Sequence, residues 1–236
     1  MTDIHSHILY DLDDGSRSIE ESIELLKKMS SVGFTDVILT PHYIENSSYK
    51  AENKEKLSKL EILKEEILKN NININIYLGN EIFINDHIVE LVKSGKIYSQ
   101  NNTNYLLIEF PFHNQILNLE DILYEIKISG YTPIIAHPER YTYFQKDYNL
   151  VRKLKEDGVL FQSNYSSILG DYGSSSKKLV KKLLKDKYVN FLGTDIHRMS
   201  KTNVVDNFPK IVKKIKKITG EEYYNQIISN CNKLVS

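Results

Sequence analysis

Six of the seven short apolar runs in this chain are followed at once by a side chain able to hold a metal ion. The runs fall at about 2–8, 36–40, 74–80, 105–110, 133–137, 159–163 and 189–194, and helical stretches lie between them. Most lack strict alternation, as parallel strands covered on both faces do. Repeated strand–helix units imply right-handed crossovers and a parallel sheet. Such a sheet opens into a doubly wound fold or closes into a barrel. Reactive groups at the end of strand after strand favour the closed, irregular barrel, which gathers them on one face. The expectation is an α/β, TIM-like barrel forming one domain over residues 1–236.

The helical stretches carry their own signals. Ser18-Ile19-Glu20-Glu21 reads as a capping box, with Ser18 as N-cap and Glu21 reaching back. Ile19, Ile23, Leu26 and Met29 then form one apolar stripe, and Gly33 stands where a C-cap glycine belongs. A second helix, about 50–69, sets Leu60, Leu63 and Ile67 against a charged, solvated face. Further helices are expected near 118–129, 148–157, 174–186, 204–217 and 221–232.

Charge and cysteine content narrow the function. Lys plus Arg, 31, equals Asp plus Glu, 31, so nothing global attracts nucleic acid or an anionic membrane. Cys231 is the one cysteine, which excludes an intrachain disulfide and reads as a small apolar residue of the last helix. No secretory signal pattern and no apolar run of membrane-spanning length stand out. A soluble cytoplasmic protein is expected.

The candidate ligands are His5, His7, Asp14, His42, Glu81, Glu109, His137, Asp195 and His197. In a strand, residues two apart point to one side, so His5 and His7 can reach one ion, as can Asp195 and His197. The first and last strands of a closed barrel are neighbours, so these two pairs converge. A lone His-x-His is better read as two polar residues on a strand; two such pairs on strands that meet are not. Pro41 before His42 and Pro138 after His137 stiffen those turns. Glu81 and Glu109 end apolar strands, where a carboxylate is costly unless paired or metal-bound. Imidazole and carboxylate without thiolate suit hydrolytic divalent ions. Nine ligands exceed what one ion uses, so two or three are expected.

Arg140, three residues after His137, offers a planar fork suited to phosphate oxygens; taken alone it reads as a surface ion pair. Arg198 and Lys201 are further substrate-binding candidates, and Arg17 a weaker one. Gln162 and Asn164 on the sixth strand suit hydrogen bonding around the ligands. His87 and His113 read as structural or surface residues.

Taken in order, Asp3-Ile4-His5-Ser6-His7 with Asp13-Asp14-Gly15, Thr40-Pro41-His42, Gly79-Asn80-Glu81, Leu107-Ile108-Glu109-Phe110, Ile135-Ala136-His137-Pro138-Glu139-Arg140-Tyr141, Gln162-Ser163-Asn164 and Gly193-Thr194-Asp195-Ile196-His197 resemble the PHP (polymerase and histidinol phosphatase) superfamily. Within it they are most similar to the bacterial capsule-type protein-tyrosine phosphatases. The resemblance implies a distorted (β/α)7 barrel and a trinuclear site, usually manganese-activated, on those nine ligands. Mg2+, Fe2+ or Zn2+ are the alternatives. It also implies a phosphate-binding role for Arg140. The implied substrate is an autophosphorylating tyrosine kinase that controls capsule or exopolysaccharide synthesis. One departure concerns a second arginine, carried by relatives a few residues beyond the final Asp-x-His. Here Arg198-Met199-Ser200-Lys201-Thr202 offers Arg198 or Lys201 instead.

The reaction expected is metal-assisted phosphomonoester hydrolysis without a phosphoenzyme; no Cys-x5-Arg loop surrounds Cys231. The rival enzyme reading is a phosphatase of histidinol phosphate or another small molecule. A rival of another class is a non-catalytic kinase-binding module, which would be expected to have lost ligands.

Overall fold

The computed structural model describes residues 1–236. Its nine strands are β1 (Thr2–Asp3), β2 (Asp36–Leu39), β3 (His42–Tyr43), β4 (Asn75–Leu78), β5 (Glu81–Phe83), β6 (Tyr105–Glu109), β7 (Thr132–Ala136), β8 (Leu160–Asn164) and β9 (Phe191–Gly193). All pairings are parallel. One sheet runs β1-β2-β4 and the other β3-β5-β6-β7-β8-β9.

These are seven barrel strands, two of them broken. The second strand splits into β2 and β3 at Thr40-Pro41, and the third into β4 and β5 at Gly79-Asn80. The breaks lie side by side, because His42 pairs with Glu81 just beyond them. Pro41 has no N–H to give a ladder, and its carbonyl accepts from the Asn80 side-chain amide at 2.9 Å. The first strand, expected over 2–8, pairs as a ladder only at Thr2–Asp3. Beyond it the chain meets the last strand: the Asp195 N–H donates to the His5 carbonyl at 2.8 Å and the His7 N–H to that of Ile196 at 2.9 Å. A parallel bridge joins Ser6 to Ile196. The ends of the sheet are thereby brought together in a curled, distorted barrel.

The helices are α1 (Ile19–Ser31), α2 (Asn53–Lys69), α3 (Ile88–Lys93), α4 (Leu119–Ile128), α5 (Thr142–Lys146), α6 (Tyr148–Glu156), α7 (Gly173–Lys185), α8 (Asn203–Asp206) and α9 (Phe208–Asn232). The helix expected over 204–217 begins instead as the single turn α8, and α9 restarts with Pro209 in its first turn. Gly220, at φ +75°, then interrupts α9 where a separate last helix was expected. Ser18 caps α1 by accepting from the Glu21 N–H. The Glu21 carboxylate does not return to Ser18. It accepts from the backbone N–H groups of Arg17 and Met199 (both 2.9 Å), and so ties α1 to the loop after β9. No helix is long and apolar enough to cross a membrane.

Two apolar clusters hold the layers. The larger joins the sheet to the surrounding helices. The smaller contains Ile4, Ile38, Leu107, Ile134, Ala136 and Phe191, with Cys231 in α9's last turn and Leu234 just beyond it. Its residues come from strands all round the sheet, so it fills the barrel interior. His5, Glu109 and His137 follow Ile4, Leu107 and Ala136 by one or two residues. The apolar plug is therefore the floor on which the polar site rests.

Candidate metal centre

Glu81 is the hub of the site. Its carboxylate is buried, with Oε2 3.2 Å from Nε2 of both His5 and His7 and 3.0 Å from Nδ1 of His42. Its Oε1 lies 2.8 Å from His137 Nε2. Glu109 Oε1 and Oε2 stand 3.7 Å from His137 and His42 respectively. Asp195 Oδ1 is 3.4 Å from His5 Nε2, 3.5 Å from His7 Nε2 and 3.6 Å from His197 Nδ1. Asp14 Oδ1 completes the set, 3.6 Å from His42 Nε2 and 3.5 Å from His197 Nε2. All nine residues named from the sequence meet here. Donor atoms of seven of them fall into three groups: His7, Asp14, His42 and His197; His5, His7 and Glu81; His42, Glu81 and Glu109. His137 and Asp195 flank these groups, against Glu81 and His5 respectively.

Three imidazoles are oriented by groups behind them. His5 Nδ1–H donates to Gln162 Oε1 at 2.9 Å, His7 Nδ1–H to Asp13 Oδ2 at 2.7 Å, and His197 Nδ1–H to the Asp195 carbonyl at 2.9 Å. Each donation spends the Nδ1 proton and leaves Nε2 as a lone pair facing inward. Gln162 thus has the supporting role expected of it, and Asn164 donates to Asp195 Oδ2 at 2.7 Å. Asp13 was not named from the sequence beyond its turn. It also accepts from the backbone N–H of His42 and of Gly15, both at 2.8 Å, and so joins two ligand loops. His137 and Asp195 have φ of +32° and +52°. Non-glycine residues in this region are uncommon and cluster at functional sites.

The donor set fits cations. His5 Nε2 and His7 Nε2 face each other at 3.3 Å with carboxylate oxygens around them. Lone pairs at that spacing need protons or a positive ion between them. Without an ion, protons fill the role: burial opposes charge on His5, but Glu81 and Asp195 raise it to about 9. Burial and then the negative Glu81 push Glu109 up to about 9. Burial and then the neighbouring charge of Arg140 drop His137 to about 4. Asp14 Oδ1 and His42 Nδ1 are buried without a hydrogen-bond partner. Divalent ions would satisfy every one of these groups.

A cavity of about 940 Å³ opens over the cluster, within the size range of small-ligand sites. Arg140 borders it, with Nη1 donating to Asp195 Oδ2 at 3.0 Å. The exposed Lys201 also lines it. Arg198 does not border the cavity; its Nε donates to the carbonyls of Asp14 (2.7 Å) and Gly15 (3.1 Å). Arg17, His87 and His113 are exposed and away from it. Two aromatic residues that sequence reading passed over, Phe112 and Tyr172, form cavity walls against Arg140. Cys231 is buried elsewhere, and burial pushes its thiol up to about 12, which rules out a thiolate nucleophile at neutral pH.

A curled parallel barrel carrying a buried His/carboxylate cluster and an arginine at its mouth defines a metal-dependent hydrolase of the PHP kind. Over residues 1–236 the sequence matches the family described as capsular polysaccharide synthesis, CpsB/CapC. CapC of Staphylococcus aureus is 40% identical over 200 residues, 85% of this chain and 78% of that protein. The tyrosine-protein phosphatase YwqE of Bacillus subtilis is 32% identical over 203 residues, 86% of this chain and 80% of that one. A crystal structure reported for YwqE of Bacillus subtilis and CpsB of Streptococcus pneumoniae, described as metal-dependent tyrosine phosphatases, superposes with a TM-score of 0.93 at 29% identity. It covers 100% of this chain and 94% of that one. The chain belongs to the CpsB/CapC family.

Proposed function

We infer that this protein is a metal-dependent tyrosine-protein phosphatase of capsular polysaccharide synthesis. The observation that carries the chemistry is the clustering of nine candidate ligand side chains, four of them against Glu81, beneath a cavity bordered by Arg140. Family membership and the tyrosine-phosphatase relatives supply the substrate class.

The nine residues would hold three divalent ions, Mn2+ foremost, seven of them through the three groups of donor atoms and His137 and Asp195 beside those groups. When bound, such ions acidify water to a nucleophile near neutral pH and offset charge on phosphoryl oxygens. The rest falls to the chain's own residues. Arg140 receives phosphoryl oxygens on its guanidinium edge and takes up charge as they become more negative. Asp195 holds that guanidinium through Nη1. Gln162, Asp13 and the Asp195 carbonyl fix the imidazole tautomers, so that no ligand must reorganise during turnover. Phe83, Phe112 and Ile44 line the cavity and give a phenyl ring apolar contact. Exposed rim residues Asp171, Ser200 and Lys201 leave room for a flanking peptide. Lys201, rather than Arg198, is the second cationic contact. The natural substrate is an autophosphorylating tyrosine kinase, and the site of action is the cytoplasm.

The test is turnover by metal-stripped protein, with and without Mn2+, on a tyrosine-phosphorylated peptide and on histidinol phosphate. Mn2+-dependent phosphate release from the peptide alone is expected. Preference for histidinol phosphate would move the substrate assignment. Release from neither, with metal bound, would leave a binding role.

A further inference from the structure

The Arg140 guanidinium lies over two aromatic rings. Its Cζ is 4.5 Å from the centroid of Phe112 and 4.6 Å from that of Tyr172. Both rings are themselves held. The Phe112 carbonyl accepts from the N–H (2.9 Å) and hydroxyl (3.1 Å) of Thr142, and its ring lies 5.8 Å from those of His137 and Tyr141. The Tyr172 hydroxyl accepts from Asn164 Nδ2 at 3.2 Å and donates to Asp195 Oδ2 at 3.3 Å. The loops carrying the two rings, after β6 and before α7, are far apart in sequence and meet only at Arg140.

A guanidinium with aromatic rings over its flat faces makes hydrogen bonds only in its own plane. Here Nη1 meets Asp195 and the side chain borders the cavity. We propose that Phe112 and Tyr172 are positioning residues: together they form a slot that recognises a planar cation and fixes the edge Arg140 presents to the phosphoryl group. The proposal rests on the reading of Arg140 as the phosphate-binding residue. It assigns to Tyr172 a role through its ring, with the hydroxyl serving to orient that ring. A lysine at position 140 gains little from such a slot, because a compact ammonium has no plane to be gripped.

Double-mutant cycles separate the two claims. The readouts are calorimetric Kd for a peptide bearing a non-hydrolysable phosphotyrosine analogue, and kcat/KM on the matching phosphopeptide. In the otherwise unaltered protein, Arg140→Lys is expected to weaken both by about tenfold, the scale of partly desolvated cation–π contacts with a bidentate fork. In a Phe112→Leu or Tyr172→Leu background the same change is expected to cost about twofold or less, since the slot is already open. Tyr172→Phe keeps the ring and is expected to retain the full Arg-over-Lys discrimination. Phe112→Met and Tyr172→Met provide a second ring-deleting pair if a leucine variant fails to fold. An undiminished cost of Arg140→Lys in the ring-deleted backgrounds overturns the slot. Equal affinity of the Arg140→Lys variant and the wild type also overturns the slot, whereas equal affinity of an Arg140→Ala variant overturns the phosphate-binding reading of Arg140.

Discussion

Asp13 and Asp14 are adjacent carboxylates in one turn with different work to do. Asp14 aims at two imidazoles as a ligand, whereas Asp13 stands behind His7 and beneath the His42 N–H. Burial alone would raise Asp13, but the His7 imidazole beside it pulls the carboxyl down to about 2. Asp13→Asn is therefore expected to weaken metal binding roughly 10- to 100-fold, read by calorimetric titration of the apo-protein; an unchanged Kd would remove Asp13 from the account. At the rim, Lys201→Ala should raise KM for a phosphopeptide severalfold and leave the melting temperature within a degree or so, as for surface changes generally. Arg198→Ala should do the reverse, because it strips a donor from the Asp14 and Gly15 carbonyls. The clustered histidines and carboxylates were legible in sequence because their chemistry is fixed by residue type and by a spacing of two on a strand. Asp13, Phe112 and Tyr172 were not. An acid in a turn and an aromatic in a loop have no distinguishing spacing, and their partners are brought to them only by the closed fold.

At the scale of elements, the two broken strands decide where His42 and Glu81 point. Their breaks are joined by Asn80, which donates to the Pro41 carbonyl and accepts from Lys56 Nζ at 2.7 Å and the Tyr98 N–H at 2.9 Å. Lys56, on α2, is fully buried with no carboxylate partner, and burial lowers its ammonium to about 7 from an ordinary 10.5. Between those values the unfolded chain holds a proton that the folded chain has released. Stability should thus rise with pH from about 7 to about 10, by on the order of 1 kcal/mol per pH unit. Below pH 7 both states carry the proton and the slope from this group vanishes. Lys56→Met should lack the rise, as seen in urea denaturation of the two chelated proteins at pH 7 and pH 9; parallel curves would contradict the assignment. The apolar runs expected over 36–40 and 74–80 end near where β2 and β4 do, but that each strand resumes beyond the break, as β3 and β5, was not legible. The interruption comes from Pro41, from Asn80 and from a lysine on another element. Helix α5, five residues long, also went unpredicted, since it repeats no apolar stripe.

The whole molecule is a barrel whose lower half is an apolar plug and whose upper half concentrates buried charge. Such a site opposes folding until cations enter, so ions that bind only the native state raise stability by mass action. Chelation is expected to lower the melting temperature by roughly 10 °C from the metal-saturated value, given a 2–4 °C shift per kcal/mol for a chain of this size; an unshifted transition would mean the cluster is satisfied without metal. The architecture as a whole was legible, because strand–helix alternation with strand-end ligands leaves few alternatives to a closed barrel. Closure was legible too, from the two His- and Asp-bearing pairs on the first and last strands, but its form was not: His5, His7, Asp195 and Ile196 join through backbone bonds with almost no ladder. The most direct test is an anomalous difference map, at an energy just above the manganese edge, from crystals grown with Mn2+. The account predicts three peaks around Glu81, one in each of the donor groups built on His7 with Asp14, His5 with His7, and His42 with Glu109. A map with no peak over Glu81, or with manganese only on surface carboxylates, would contradict it.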